Sequence, residues 1–403
     1  MKFFIKCIIV LILSAIIFTG CSSTAGINSF DTYIEGQDSQ ENFINYNNDK
    51  FYASNGESYY FLHKGFLYEI DKKTQKCHPM CNKSDCLHDN ELSSSKRLEC
   101  NANLNISDDK IVYNNGYLYY FFDDEEYDKD GNKHMVQRIC RISTDNGTKE
   151  IIYTTEDYSI FNIRAHRGYL YLNLCPWNSN GEAGEEHVDL FRISLDGKSD
   201  PELFISLNDY RKKYKNMWIT ETRFYGNHLF YKIEYTKNKK SKVTFINVDL
   251  NNGKWTDIGS NLPLKDNTRL TIFNDKLIFN STGTKICECN FNGKNVKEIL
   301  DCSNLIQGYN FFAPYCNDGQ NLIISMAKVN PKDIYDVTLS KRIIFCDKKY
   351  KAVIHDMPIK CLAEIGFDKD FFIYLSDDED APVYLIDKNR FKMKKIYEFP
   401  IQE

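Results

Sequence analysis

The sequence predicts an all-β chain folded as a β-propeller, with seven four-stranded blades as the main expectation and six as the next. Three observations predict it. First, short runs rich in Ile, Val, Tyr and Phe are separated by Asn-Gly and Asp-Asn-Gly punctuation, most clearly over residues 110–154. Such residues suit a pleated, half-buried surface, and Asn and Gly supply the positive φ of tight hairpin turns. Second, the start of the second run of each unit recurs at Ser58, Leu118, Leu170, Leu229, Leu277, Leu322 and Phe372, at spacings between 45 and 60 residues. That is a blade period. Third, the third run recurs as FLYEID (66–71), RICRIS (138–143), DLFRIS (189–194), FINVDL (245–250), ICECNF (286–291), RIIFCD (342–347) and VYLID (383–387), mostly followed by a tight turn such as Asp196-Gly197 or Asn292-Gly293. A sandwich of two sheets is the competing all-β arrangement. It does not explain one pattern repeated in register along the chain.

The units span residues 49–403. Before them, Met1-Lys2 with Lys6 makes a short basic start, and an apolar run over 3–18 is followed by Thr19-Gly20-Cys21. A short basic start and an apolar core too short for a bilayer span predict a secretory signal peptide over 1–20. Gly20-Cys21 at its end resembles the bacterial lipobox. The resemblance implies cleavage before Cys21, a diacylglyceryl group on its sulfur, and a chain held to the cell membrane on its extracytoplasmic side. Residues 21–48 are rich in Ser, Asn, Asp and Gln and predict a flexible tether, with 43–46 as the one stretch suited to pair as an extra strand.

The formal charge is −5, and it becomes −7 without Lys2 and Lys6. A mildly acidic chain with scattered charge excludes nucleic acid as the main partner. Of fourteen cysteines, Cys140, Cys287, Cys289 and Cys346 fall inside predicted strands, where a thiol packs as a small hydrophobe. Loop lengths separate the two ends of the ring. Turns from first to second and from third to fourth strand are short. The long connections are second-to-third (123–133, 175–186, 328–340) and fourth-to-first (81–109, 206–217). These all lie at one end, which is where a ligand is expected.

The insertion over 77–103 carries the sharpest chemical signal: Cys81, Cys86, His88 and Cys100. Three thiolates and an imidazole match a closed, structural Zn²⁺ site. Two disulfides among Cys77, Cys81, Cys86 and Cys100, or free thiols with an idle His88, are the other readings. The stretch Pro79, Cys81, Lys83, Asp85, Cys86, His88, Cys100, Asn101, Ala102 also resembles a segment of uncharacterised propeller lipoproteins of anaerobic Gram-positive bacteria, loosely similar to TolB-like and LDL-receptor-like propellers. That resemblance implies the architecture and no activity.

Weaker signals complete the reading. The turn 143–148 resembles the front of a sialidase Asp-box, and 128–132 a partial calcium loop without its bidentate Glu. Trp177 and Trp218 are candidates to stack on a sugar, and Arg211 and Lys212 to meet an anionic glycan or protein. Lys237, Lys239, Lys240 and Lys242 extend that basic side, while Asp123, Asp124, Glu125, Glu126 and 377–380 make an acidic one. No nucleophile elbow, metalloprotease helix or phosphate-binding loop is present. The expected function is a lipid-anchored extracytoplasmic binding or scaffold module. A glycan-active hydrolase or lyase and an accessory or sensory subunit of an envelope complex are the alternatives.

Overall fold

The computed structural model describes residues 32–40, 52–63, 65–83, 86, 100–104, 111–127, 129–131, 133–176, 189–265, 267–281, 283–330, 333–339, 342–357, 365–367, 370–374 and 382–398. Its strands pair into antiparallel sheets, each drawn from one continuous stretch of chain. The first sheet holds β1 (Tyr52–Ser54), β2 (Ser58–His63), β3 (Phe66–Asp71) and β4 (Lys76–Pro79). The second holds β5 (Val112–Asn114), β6 (Tyr117–Tyr127), β7 (Lys133–Ser143) and β8 (Lys149–Thr155). The third holds β9 (Tyr158–His166), β10 (Tyr169–Pro176), β11 (Asp189–Ser194) and β12 (Glu202–Ile205). After a short helix α1 (Asn208–Lys213), the fourth holds β13 (Trp218–Tyr225), β14 (His228–Lys237), β15 (Lys240–Asp249) and β16 (Trp255–Asp257). The fifth holds β17 (Leu270–Phe273), β18 (Lys276–Asn280), β19 (Lys285–Cys289) and β20 (Lys297–Asp301). The sixth holds β21 (Phe311–Asn317), β22 (Asn321–Asn330), β23 (Asp333–Leu339), β24 (Arg342–Asp347) and β25 (Ala352–Asp356), with β23 and β24 both on β22. The last holds β26 (Ile365–Phe367), β27 (Phe371–Tyr374), β28 (Val383–Asp387) and β29 (Lys392–Tyr397). The fold is an all-β propeller.

The middle strands are apolar along their length rather than alternating. In SYYFLH of β2 the first five residues are all buried. The reason is that each sheet is covered on both faces. Tyr60, Leu62 and Leu67 of the first sheet pack on Leu118, Tyr120 and Ile142 of the second. Ile139 and Tyr119 pack on Ile163, Leu170 and Leu172, and Tyr171 and Leu190 on Phe224, Leu229 and Ile246. Phe230 and Phe245 meet Ile272, Leu277 and Phe279. Phe273 and Ile278 meet Leu322 and Ile344, and Ile343 and Phe345 meet Ile386. Ile373, Val383 and Leu385 then return to Phe61 and Tyr68 of the first sheet, closing the ring. Each such side chain contributes about 1.5–3 kcal/mol on burial, so the core lies between sheets and none is stable without its neighbours.

A second device repeats around the ring. Each turn from third to fourth strand contains positive φ, at Gln75, Gly147, Gly197, Gly253, Gly293 with Asn295, Tyr350 and Phe391. At Gly197 and Gly293 the turn presses closely on the outer edge of the preceding sheet, and at Gly253 and Gly147 a Cβ would come within 3.5 and 3.9 Å of it. A Cβ on Gly197 would lie 2.6 Å from Ile152 Cβ and 2.7 Å from the Ile152 carbonyl oxygen. Elsewhere a side chain makes the contact. The Phe391 ring stacks on His355 of β25 at 4.1 Å, and the Gln75 carboxamide accepts from Lys394 Nζ of β29 at 2.6 Å.

Two expectations are corrected. The second-to-third connections of the second and sixth sheets are not irregular loops. They are hairpins that prolong β6–β7 and β22–β23, because cross-strand pairing continues to Tyr127↔Lys133 and Asn330↔Asp333. The stretch 21–48 is not a free tether throughout, since residues 32–40 dock on the ring through the buried Asp38 and Ser39. Residues 43–46 and most of the predicted 81–109 connection lie outside the described residues. Gly197→Ala should destabilise by about 1–3 kcal/mol more than Gly131→Ala, because both have positive φ but Gly131 has nothing within 4 Å. The difference in urea midpoints checks this.

Candidate functional site

The thiol cluster is built where the chain leaves and re-enters the outer edge of the first sheet. Beyond Pro79, the Met80 amide donates to the Leu67 carbonyl at 2.9 Å. On return, the Leu67 amide donates to the Ala102 carbonyl at 2.8 Å and the Leu104 amide to the Gly65 carbonyl at 2.9 Å. Both ends of the insertion are thus pinned beside the turn between β2 and β3. Cys100 is 1% exposed, and Cys81 and Cys86 are half-buried against the same core. The three sulfur atoms lie within 4.8 Å of one another. Tetrahedral zinc with Zn–S near 2.3 Å places its sulfurs about 3.8 Å apart, so the spacing fits a metal with little movement. All eleven described cysteines are free thiols, Cys77 among them.

The electrostatics of the cluster are unequal. Burial pushes the Cys100 thiol up to about 12. Burial also acts on Cys81, but the Lys83 and Asn101 amides and the Cys100 and Cys86 thiols outweigh it and hold Cys81 below its ordinary value. Three soft sulfur donors with one thiol predisposed to ionise form a group that could hold a metal ion. Lys149, first residue of β8, reaches in from the second sheet. Its ammonium donates to the carbonyls of Cys100, at 3.4 Å, and Asn103. Burial lowers its pKa to about 8, while the Cys100, Cys140 and Cys81 thiols oppose that shift. The ammonium thus stands beside the three sulfurs, where it favours their ionised forms. The role of Lys149 was not legible from the sequence, because it depends on the Cys100 and Asn103 carbonyls, far away along the chain.

The other predicted residues are distributed as follows. His88, Trp177, Cys21 and residues 377–380 lie outside the described residues. Trp218, at the start of β13, is 60% exposed at the end of the ring with the thiol cluster. Arg211 and Lys212 lie on α1, where Arg211 bonds Asn208 at 3.2 Å and Lys212 bonds Asp209 at 2.9 Å. Asp257 fastens that helix to the sheet. Its carboxylate accepts from Tyr214 at 2.5 Å, Thr244 at 2.7 Å and Lys213 at 3.1 Å.

Charge at this end is uneven. Within the acidic hairpin, Arg138 pairs with Asp124 and Glu126, and Lys133 with Glu125 at 2.6 Å. Its charge is largely spent internally. The tip of β14–β15 differs. Lys237, Lys239, Lys240 and Lys242 are exposed, and Lys237 lies directly opposite Lys240. None makes an ion pair among the described residues. A buried network also lies at β13, where Glu221 accepts from the Leu270 amide at 3.1 Å and faces Arg269, Lys232 and Arg223 within 3.9 Å. Asp71, Asp196 and Asp301 are held below the usual carboxylate range by hydrogen bonds from Thr74, Ser194 and Ser303. A general acid would need a shift in the opposite direction.

No family model and no curated protein matches the chain. Among solved structures it is similar to the β-propeller domain of the Trilobed protease from Pyrococcus furiosus, at 11% identity and TM-score 0.44 over 71% of this chain and 81% of that one. It is similar to TolB from Acinetobacter baumannii at 10% identity and TM-score 0.38, over 85% and 77%. It is similar to an oligogalacturonate lyase in complex with manganese at 12% identity and TM-score 0.41, over 70% and 85%. These likenesses concern the fold alone.

Asp257 yields a pH prediction. Burial raises its pKa, but the bonds from Tyr214, Thr244 and Lys213 prevail and lower it. A depressed carboxylate contributes stability that is present above its unfolded value, about 3.9, and lost as pH falls through the lower folded value. Acidification below about pH 4 should therefore release α1, read as a change in fluorescence of Trp255, which stacks on Tyr210 at 4.6 Å. Asp257→Asn should flatten that transition.

Proposed function

We propose that the protein is a lipid-anchored, extracytoplasmic propeller that binds an anionic partner at the hairpin end of its ring. In this reading each of the seven sheets serves as one blade, Cys21 carries the lipid, and the chain belongs with the propeller lipoproteins that its Cys/His insertion resembles. The observation that carries the binding role is the lysine tip of β14–β15, left without ion pairs among the described residues while the acidic hairpin of β6–β7 neutralises itself. Unpaired like charges at a loop tip are costly to gather and are relieved by an anion. Trp218 exposes an aromatic ring at the same end, suited to stacking on a sugar. Anionic polysaccharide is the partner class that uses both. Substituting Lys237, Lys239, Lys240 and Lys242 together by Ala should weaken binding to an immobilised anionic polysaccharide about tenfold or more, and raised salt should do the same to the unmodified protein. Equal retention of both proteins would refute the binding site.

The insertion is, in this reading, a structural zinc loop with Cys81, Cys86 and Cys100 as thiolate ligands and His88 as the fourth. The mutual approach of the three sulfurs supports it. Four protein donors leave no open position, so the metal orders the loop and performs no chemistry. Protein beginning at Ser22, purified anaerobically, should carry about one equivalent of zinc, lost in Cys86→Ser and reduced in His88→Ala. A metal-free protein with every thiol titratable would exclude the zinc loop. A metal-free protein with fewer free thiols would assign the cysteines to disulfides.

A further inference from the structure

The end of the ring opposite the thiol cluster is covered in part by residues 32–40. Residues 32–40 fold into a tight turn, with the Asp38 amide donating to the Ile34 carbonyl at 2.9 Å and Asp38 Oδ2 accepting from the Ile34 amide at 3.1 Å. This turn meets the first-to-second-strand turns of four consecutive sheets. Ser54 of the first sheet exchanges hydrogen bonds with the Gln40 side chain. In the second, the Asn115 amide donates to the Gly36 carbonyl at 2.9 Å and Asn114 Nδ2 to the Gln37 carbonyl at 2.8 Å. In the third, the Arg167 amide donates to the same Gln37 carbonyl at 2.7 Å. Its guanidinium bonds Asp38 at 2.7 Å and reaches Asn227 of the fourth sheet at 2.8 Å. His166 completes the set. Its Nδ1 accepts from the Ser39 amide at 3.1 Å and its Nε2 donates to the Gly226 carbonyl at 2.7 Å. Asp38 is 1% exposed and His166 0%. This is a built contact made by side chains from opposite ends of a long stretch of sequence.

We propose that residues 32–40 are a clasp that keeps this end of the ring turned toward the lipid membrane, leaving the hairpins, Trp218 and the thiol cluster facing away from it. The inference rests on the reading of Cys21 as a lipid anchor. Cys21 precedes Thr32 by eleven positions. A chain of that length reaches at most about 40 Å when fully extended and about 18 Å as a coil. The nine residues of β9 span about 30 Å from one end of the ring to the other. With the chain clasped under the first-to-second-strand turns, the opposite end lies beyond the coil's reach of the bilayer. The orientation follows from where the chain is fastened, without any contact between ring and lipid. It also means that a ligand for the hairpin end approaches from outside the cell envelope surface rather than from the membrane.

The test uses the full chain, made in a host that lipidates its own lipoproteins and reconstituted in phosphatidylglycerol–phosphatidylethanolamine vesicles containing headgroup-quencher lipid. The mass of the N-terminal peptide is read first. A diacylglyceryl adduct on Cys21 is required, and its absence overturns the anchor reading and the orientation with it. A fluorophore is placed either at Asn274, exposed in the turn between β17 and β18, or at Asn238, exposed at the tip of β14–β15. With the adduct present, the Asn274 label should be quenched about threefold or more over the Asn238 label. Equal quenching, or the reverse order, overturns the clasp while leaving the anchor intact. Arg167→Ala should bring the two labels together. Because that variant removes a buried partner, a second one inserts about twelve Gly and Ser residues after Ser29, which leaves the clasp whole and should also narrow the ratio. An unchanged ratio in the lengthened chain would show that the ring's own surface, and not the clasp, sets the orientation.

Discussion

Everything in this fold depends on each sheet being covered on both faces. A single antiparallel sheet with one wet face would show alternating burial along its strands. Here β2, β10 and β18 bury most of their residues and β14 buries Leu229 to Ile233 without a break, so both faces are covered, and the side chains that face outward from one sheet are the core of its junction with the next. Such a sheet is unsatisfied alone and unsatisfied at the end of a row. The demand ends only when the last sheet meets the first, as Leu385 and Ile373 meet Phe61 and Tyr68. Among the described residues no strand is exchanged between the chain's two ends to secure that junction. Apolar packing, the Tyr68–Tyr397 ring pair at 5.4 Å and the Gln75–Lys394 bond do it.

Closure by side faces leaves the two ends of the ring as the free surfaces, and the chain treats them differently. At one end the turns are short and are bridged by residues 32–40, so that polar groups which would otherwise face water are buried in a connected network. Burying Asp38 and Arg167 together costs desolvation energy that their mutual bonds must offset, and removing one partner alone is worth about 3–5 kcal/mol. At the other end the second and third strands of the second, fourth and sixth sheets run past the body of the ring as hairpins. A hairpin satisfies its own backbone and therefore extends into solvent without irregular loop, which is why connections that look like loops from their polar composition are strands.

Much of this was legible in the sequence because the signal was local. Leu118, Leu170, Leu229, Leu277, Leu322 and Phe372 each stand one residue inside the second strand that they mark, and Ser58 begins its own. FLYEID, DLFRIS, RIIFCD and VYLID match their strands end to end. Asn-Gly and Asp-Gly turns fixed the punctuation through their positive φ. What was not legible depends on pairs distant in sequence. Nothing in Ser29–Gln40 composition distinguishes a docked segment from a tether, since polar residues solvate a linker and satisfy a buried network equally well. Asp38 takes its role from Arg167, and Lys149 from the Cys100 and Asn103 carbonyls. The cysteines were legible as a cluster because the chemistry of sulfur limits what three of them can do at short range.

The position of that cluster follows from the same closure constraint. The insertion after β4 is polar in sequence, with few apolar residues. Its two ends are nevertheless held beside the first sheet by Met80, Ala102 and Leu104, which are buried in the junctions with the sheets on either side. Order at the ends brings Cys81 and Cys100 to the base of the loop with Cys86 beside them, and Lys149 from the second sheet locks the returning strand. The edge of the ring thus brings three soft donors within 4.8 Å of one another. A metal bound there would close the loop across its base, and the entropy it removes from the unfolded insertion would add to stability in the manner of any cross-link. The thiols are therefore better understood as a continuation of the propeller's edge than as a separate module carried on it.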